Sequence, residues 1–270
     1  MSSRVGLILL CLLAPGVPVA EPLKLDVLGI SGTDDRQISD SRSFPWSAIG
    51  RLNITTGGFC TATVIGPRRV LTAAHCLWNR RTANWYPPCA LHFLSAYRRG
   101  EYAVHALVSE IQVVSGFKAG QLDPGADWAV VTLDRDVSKQ TGIVELGDLA
   151  PGGSAELIQA GYSRDRPHVL TVDRSCTRTG RSRSGDYITH DCDATFGDSG
   201  SPVLTRGDDG YRLVGMHVAV RHQGRKVNGI AVTSKAFADW IGTHPVTGPA
   251  GGVKACGLEW LPGPAGLEQG

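Results

Sequence analysis

Short apolar runs alternate with clusters of Gly, Pro, Asp and Ser along most of the chain. The stretches "FPWSAIGRLN", "CTATVIGPRRVLTAAH", "ALVSEIQVVSGF", "WAVVTLD", "SAELIQAGY", "SPVLT", "YRLVGMHVAV" and "NGIAVTS" are rich in β-branched and aromatic residues. Bounded by turn formers, they read as the strands of an all-β barrel or sandwich. A helical pattern appears in only two places. One is a turn or so after Ala73; the other is "SKAFADWIGT", where Ser234 precedes a spacing that puts Phe237, Trp240 and Ile241 on one face. No repeat at a fixed period is evident. The stretch 244–270, rich in Gly and Pro, is predicted to be irregular.

The first twenty residues break this pattern. "MSSRVGLILLCLLAPGVPVA" carries one positive charge at Arg4, then an apolar run, then small or helix-breaking residues up to Ala20. That is the layout of a secretory signal, too short to span a bilayer stably. No second apolar run follows, so no membrane association is expected, and the destination is secreted or periplasmic. The remaining length suits one large all-β domain or two small ones. Discarding Cys11 with the signal leaves Cys60, Cys76, Cys89, Cys176, Cys192 and Cys256. An even count in an exported chain implies disulfides, with fifteen pairings open if all six bond. No CxxC or HExxH spacing occurs, so no metal is expected.

Charge adds little. Lys and Arg number 27 against 25 Asp and Glu, a net of +2. Arg164, Arg166, Arg174, Arg178, Arg181 and Arg183 do cluster, but without interleaved aromatics they read as a solvated loop, and no nucleic-acid partner is implied.

Candidate chemistry starts at "GDSGSP", which sets Ser199 between two glycines. Such a cluster is as compatible with a tight turn as with a nucleophile, and the choice depends on finding a base and an orienting acid. "VLTAAHCLW" offers His75, whose imidazole can take up and return a proton near neutral pH. Asp127, in "GADWAVVTL", stands at the entrance to an apolar strand that would draw its carboxylate toward the core. A buried carboxylate needs a hydrogen-bonded partner, and an imidazole N–H is a suitable one.

"TAAHC", "DWAVVTL" and "GDSGSP", in that order, resemble the chymotrypsin-fold serine proteases from roughly residue 34 to 243. The order His, Asp, Ser differs from that of the subtilisins and the α/β-hydrolases. Within the clan, "GTDDRQIS", "CDATFGDSGSP" and "VGMHVAV" look more like the bacterial V8-like, or glutamyl endopeptidase, branch than the vertebrate trypsins. The resemblance implies two six-stranded antiparallel Greek-key barrels packed face to face, with a short C-terminal helix. It implies a signal peptide at 1–20, a propeptide or N-terminal arm at 21–31, a protease domain at 32–243 with the cleft between its barrels, and a tail at 244–270. The expected activity is a serine endopeptidase, monomeric, acting on a protein or peptide substrate without a cofactor. Ser199 would be the nucleophile, His75 the general base and Asp127 its orienting acid, with the backbone N–H groups of Gly197 and Ser199 as the oxyanion hole. The alternative is a binding protein of the same fold that has lost catalysis.

The same resemblance supplies expectations for specificity and cross-links. Asp193, six residues before Ser199, matches the position from which trypsin-like enzymes select Arg or Lys. His217 matches the position from which glutamate-selective relatives offer an imidazole to a substrate carboxylate. These point in opposite directions, and the balance leans to acidic substrates. Val220 would narrow the groove where relatives carry glycine, Gly229 would line its far wall, and Phe196 would either cap the pocket or pack ordinarily. Asp198 matches the residue that in trypsin-like enzymes pairs with a newly cut N-terminus. Cys60 would pair with Cys76 around the histidine loop and Cys176 with Cys192 beside the nucleophile. Cys89 with Cys256 is the pair that remains, tying the tail to the body.

Overall fold

A computed structural model describes residues 29–243 apart from 31, 122, 151, 153 and 225. The signal, most of the N-terminal arm, the tail and Cys256 therefore lie outside the described residues.

A two-residue strand, β1 (Gln37–Ile38), precedes the first barrel. That barrel starts with β2 (Ile49–Ile54), β3 (Phe59–Gly66) and β4 (Arg69–Thr72). A small side hairpin, β5 (Trp78–Asn79) and β6 (Asn84–Trp85), follows. β7 (Leu91–Ser95), β8 (Val104–Val113) and β9 (Ala129–Leu133) complete the set. The ring order is β2-β3-β4-β9-β8-β7, closed and antiparallel, so no edge strand is left over. Ile49, Leu52, Val64, Leu71, Phe93 and Val131 are all fully or nearly fully buried.

The second barrel uses β10 (Glu156–Gly161), β11 (Thr171–Arg181), β12 (Tyr187–His190), β13 (Pro202–Gly207), β14 (Gly210–Gln223) and β15 (Lys226–Thr233). They run β11-β10-β13-β14-β15-β12, and a further β11–β12 pairing closes the ring, with β1 added at the outside of β11. The expected fold of two six-stranded barrels is thus present. One continuous apolar cluster holds residues of both barrels, from Ile49 and Phe93 to Met216 and Val232. Buried Tyr162 donates its hydroxyl to the Tyr97 carbonyl across the junction at 3.0 Å.

Both helical expectations appear. A 3-10 turn covers Ala74–Leu77, and the C-terminal helix, α2 (Ser234–Thr243), follows α1, a single turn at Ser138–Thr141. The apolar face of α2 packs Phe237 and Trp240 edge-on against Trp128, with ring centroids 6.0 and 5.8 Å apart. The helix that ends the second barrel therefore buttresses the residue next to Asp127 in the first.

One reading is corrected. The arginine-rich stretch is a solvated loop only in part: Arg164, Arg166 and Arg183 lie in connections, whereas Arg174, Arg178 and Arg181 lie within β11. Arg178 is buried, and its guanidinium donates to the carbonyls of Ala150 and Gly152 at 2.7 Å each. Burial of the charge is tolerated because these acceptors satisfy it.

Candidate active site

Strands β3 and β14 line the cleft between the barrels, but His75, Asp127 and Ser199 are all carried by short connections. "TAAHC" leaves β4 and at once tightens into the 3-10 turn, which swings His75 toward the second barrel while Cys76 is bonded to Cys60 of β3. Asp127 caps another 3-10 turn, Pro124–Ala126, just before the fully buried β9. Its carboxylate accepts twice from His75, from the backbone N–H at 2.9 Å and from Nδ1 at 2.7 Å. With Nδ1 committed to Asp127, Nε2 is the nitrogen left for exchange with the cleft.

Ser199 lines the same cleft of about 550 Å³, together with His75, Gly197 and Phe196. Its loop is held from the first barrel by buried Thr61. The Thr61 N–H donates to the Ser199 carbonyl at 2.9 Å, and its hydroxyl donates to the Gly197 carbonyl at 3.1 Å. Gly197 sits at φ +96°, where a Cβ would lie 2.5 Å from the Tyr162 carbonyl oxygen, so both conformation and space require glycine. The preceding Phe196 carbonyl accepts from the Arg164 N–H at 2.6 Å. In a trans peptide the C=O and the following N–H point opposite ways, so the Gly197 N–H faces away from Arg164.

Asp198 is fully buried. Its carboxylate accepts from the Thr195 N–H at 2.8 Å and the Ser163 hydroxyl at 2.7 Å. Burial nevertheless pushes its pKa up to about 6, against the pull of those donors and of the Arg36 charge. Arg36 is itself buried and bonded to Asp34 and to Asp165, whose carboxylate also accepts from the Thr195 hydroxyl beside this loop.

The four expected specificity residues separate. His217 and Val220 line the cleft, with Val218 and Ala219 between them. Asp193 is buried outside that lining, and its carboxylate accepts from the Asp35 N–H at 2.8 Å. Gly229 is also outside it, since the imidazole of His190 occupies the space where its Cβ would be, 2.1 to 2.8 Å away. Phe196 is 58% exposed at the rim, beside the Arg164 guanidinium, which rules out ordinary core packing for that ring.

His190 is the residue the motifs did not bring forward. The Cys192 N–H donates to its Nδ1 at 3.2 Å, so its proton is on Nε2, which lies 3.1 Å from His217 Nδ1. His217 in turn carries its proton on Nε2. Both rings are fully buried and neutral: burial pushes the His190 pKa down to about 4, and burial, then His190 and His75, hold His217 well below the usual range. No signal in the sequence pointed to it, because its place depends on the pairing of β12 with β15, which sets His190 opposite Gly229.

Of the cysteines, Cys60–Cys76 and Cys176–Cys192 are disulfides. Cys89 is also disulfide-bonded, while its expected partner Cys256 is outside the described residues.

Two closed barrels with this histidine–carboxylate pair and a glycine-flanked serine in the cleft are the architecture of a chymotrypsin-fold serine protease. The sequence model of the Trypsin family matches residues 34–241, and the chain belongs to that family. It is 27% identical over 180 residues to Trypsin epsilon of Drosophila erecta, covering 58% of this chain. It is 24% identical over 119 residues, 43% of this chain, to the glutamyl endopeptidase of Bacillus licheniformis. The aligned parts span 66% and 36% of those relatives' own lengths. Among solved structures it is similar to a Glu endopeptidase in complex with MPD, with a TM-score of 0.67 and 22% identity, over 79% of this chain and 97% of that one.

Proposed function

We propose that the protein is a secreted serine endopeptidase that cuts after acidic residues. The observation carrying this reading is the His75–Asp127 pair, bonded at 2.7 Å, in one cleft with Ser199 and Gly197. Ser199 Oγ attacks the scissile carbonyl as His75 Nε2 takes its proton, and the imidazolium then protonates the departing amine. Asp127 fixes the tautomer and stabilises the charged ring. The N–H groups of Gly197 and Ser199 receive the oxyanion, each such donor contributing about 3 kcal/mol to the transition state.

Acidic preference rests on the lining of the cleft. Among its described residues are Arg80, Arg164, His75, His217 and His222, and no carboxylate. His217 offers Nε2–H to a substrate carboxylate, with His190 holding the ring in that tautomer. Asp193 accepts from the Asp35 backbone N–H, which removes the argument for Arg or Lys. The same reading assigns 1–20 as a cleaved signal, 21–31 as propeptide or arm, 32–243 as the protease domain and 244–270 as an appended tail. The Bacillus relative is named a glutamyl endopeptidase, which favours the same preference.

The test is digestion of an unbiased peptide library by the protein purified from the culture medium, beside a Ser199→Ala control, with cut sites read by mass spectrometry. Cuts after Glu or Asp that vanish in the control are expected. Cuts after Arg or Lys would overturn the acidic preference, and no Ser199-dependent cleavage would favour a non-catalytic binding protein.

A further inference from the structure

The cleft has two arms that meet at the nucleophile, and the residue before the cut bond accounts for only one of them. On the second barrel, β14 supplies His217 to Val220, where His217 faces that residue's side chain. On the first barrel the lining passes from the Cys60–Cys76 disulfide to Trp78, Arg80 and Tyr86, on and beside the β5–β6 hairpin. A further concavity of about 360 Å³ continues over the same hairpin, sharing those three residues and adding Arg81.

The chemistry gives the first-barrel arm its direction. His75 Nε2 has to face the departing nitrogen to protonate it, and Cys76 Sγ lies 3.8 Å from that Nε2. The fragment that leaves therefore starts over the disulfide and runs on toward the hairpin, while the acyl fragment lies along β14. The β2–β3 turn also lines this arm, and a Cβ added to Gly57 or Gly58 there would meet nothing within 4 Å, so substrate side chains have space. The hairpin is braced. Trp78 and Trp85 pair across it with ring centroids 5.0 Å apart, and Trp85 leans on Phe117 at 5.6 Å. The Tyr86 N–H donates to the Leu77 carbonyl at 2.8 Å, and the Arg81 N–H donates to Asn79 Oδ1 at 3.0 Å within the turn. Arg80 is thus presented from a fixed turn. Among the described residues neither it nor Arg81 pairs with a carboxylate, and no carboxylate lines either concavity.

We propose that this arm is a leaving-group subsite for acidic residues, in which Arg80 reads an Asp or Glu a short way past the cut bond. The inference rests on the endopeptidase reading and extends it from the residue before the bond to those after it. A guanidinium meets a carboxylate through two parallel N–H donors. Trp78 and Tyr86, both half-buried, offer apolar contact to the chain that carries the carboxylate. Because Arg80 is exposed, the gain is that of a surface ion pair, about two- to fivefold in rate and weakened by salt. The stretch "CLWNRR" sets Arg80 and Arg81 just after Cys76, so the disulfide that anchors His75 also anchors the base of their hairpin. The substrates that follow are protein segments with acidic residues clustered on both sides of the cut.

The test uses internally quenched peptides with Glu before the bond that differ only by Asp against Asn at each of the first few positions after it. Beside them runs a nitroanilide of the same acyl half, which has no residue on the leaving side. The Asp/Asn ratio of kcat/KM should be about two to five at the favoured position and shrink in high salt. It should fall to about one in Arg80→Gln and below one in Arg80→Glu. Taking the ratio within one variant cancels any general loss of activity. Arg206→Gln, in β13 and outside both concavities, should keep the parent's ratio. A ratio near one in the parent, or one that Arg80→Gln leaves in place, would overturn the subsite while nitroanilide cleavage still upheld the peptidase. A parallel series with Arg before the bond reads the same ratio should the acyl-side preference be basic. No Ser199-dependent cleavage of any of these substrates would overturn both.

Discussion

Gly229 has no room for a methyl group, because the His190 ring stands where one would go. Gly229→Ala must therefore displace that ring and, through the 3.1 Å contact, His217. Overpacking of this kind costs about 1–3 kcal/mol, and thermal unfolding should show the loss. If His217 reads the substrate carboxylate, the ratio of kcat/KM for Glu over neutral peptides should fall as well, and an unchanged ratio would detach His217 from specificity. Gly197→Ala tests the other end of the site, where φ is +96° and the Tyr162 carbonyl is 2.5 Å from the added carbon. Loss of one oxyanion donor should lower kcat by about 10²–10³-fold with little change in KM. His75, Asp127, Ser199 and Gly197 could be picked out of the sequence because each sits in a short motif whose chemistry is local. His190 could not, since its role depends on strand register, and Asp193 was drawn toward the pocket by its resemblance to the trypsin-like position, whereas the backbone N–H of Asp35, distant in sequence, donates to it.

Among the elements, those with simple patterns were the ones that could be read. β9 is five consecutive buried residues and stood out as an apolar run. β11 alternates burial irregularly through Arg, Ser and Asp, with a register shift against β10, so its charges concealed a strand. β7 is as long as β9, but His92 interrupts its apolar run, and β12 has only four residues. What turns these strands into a site is the pair of cross-linked connections. The Cys60–Cys76 bond spans 16 residues and anchors the turn that presents His75 to β3. Replacing both cysteines by alanine should lower stability in urea by about 3 kcal/mol, the loop-entropy value for a loop of about this length. Cleavage should lose rate as well, because the His75 turn would then lose its covalent tie to β3 and keep only its bonds to Asp127 and Tyr86 and its core packing. Full activity in a variant destabilised by that amount would show that the bond supports the fold alone.

At the scale of the whole molecule, the buried titratable groups of the second barrel set opposing demands on pH. His190 and His217 have folded-state pKa values depressed below about 6.5, that of His190 to about 4. As pH falls below 6.5 the unfolded chain gains protons that the folded chain refuses, so their stabilisation, complete above that value, is progressively lost. Asp198 acts in the opposite sense, because its pKa is raised from 3.8 to about 6. Between those values the folded chain keeps a proton the unfolded chain has released, and stability rises as pH falls. Two histidines oppose one carboxylate, so between pH 4.5 and 5.5 the net difference is about one proton. Stability should then rise with pH by about 1.4 kcal/mol per unit. Asp198→Asn removes the opposing group and keeps an acceptor for Thr195 and Ser163, so its slope should approach about twice that value. The comparison is made by urea unfolding in the Ser199→Ala background at half-unit steps. A slope in Asp198→Asn no steeper than the parent's would mean that Asp198 is ionised in the folded chain across this range, with Arg36 and not a proton compensating its burial.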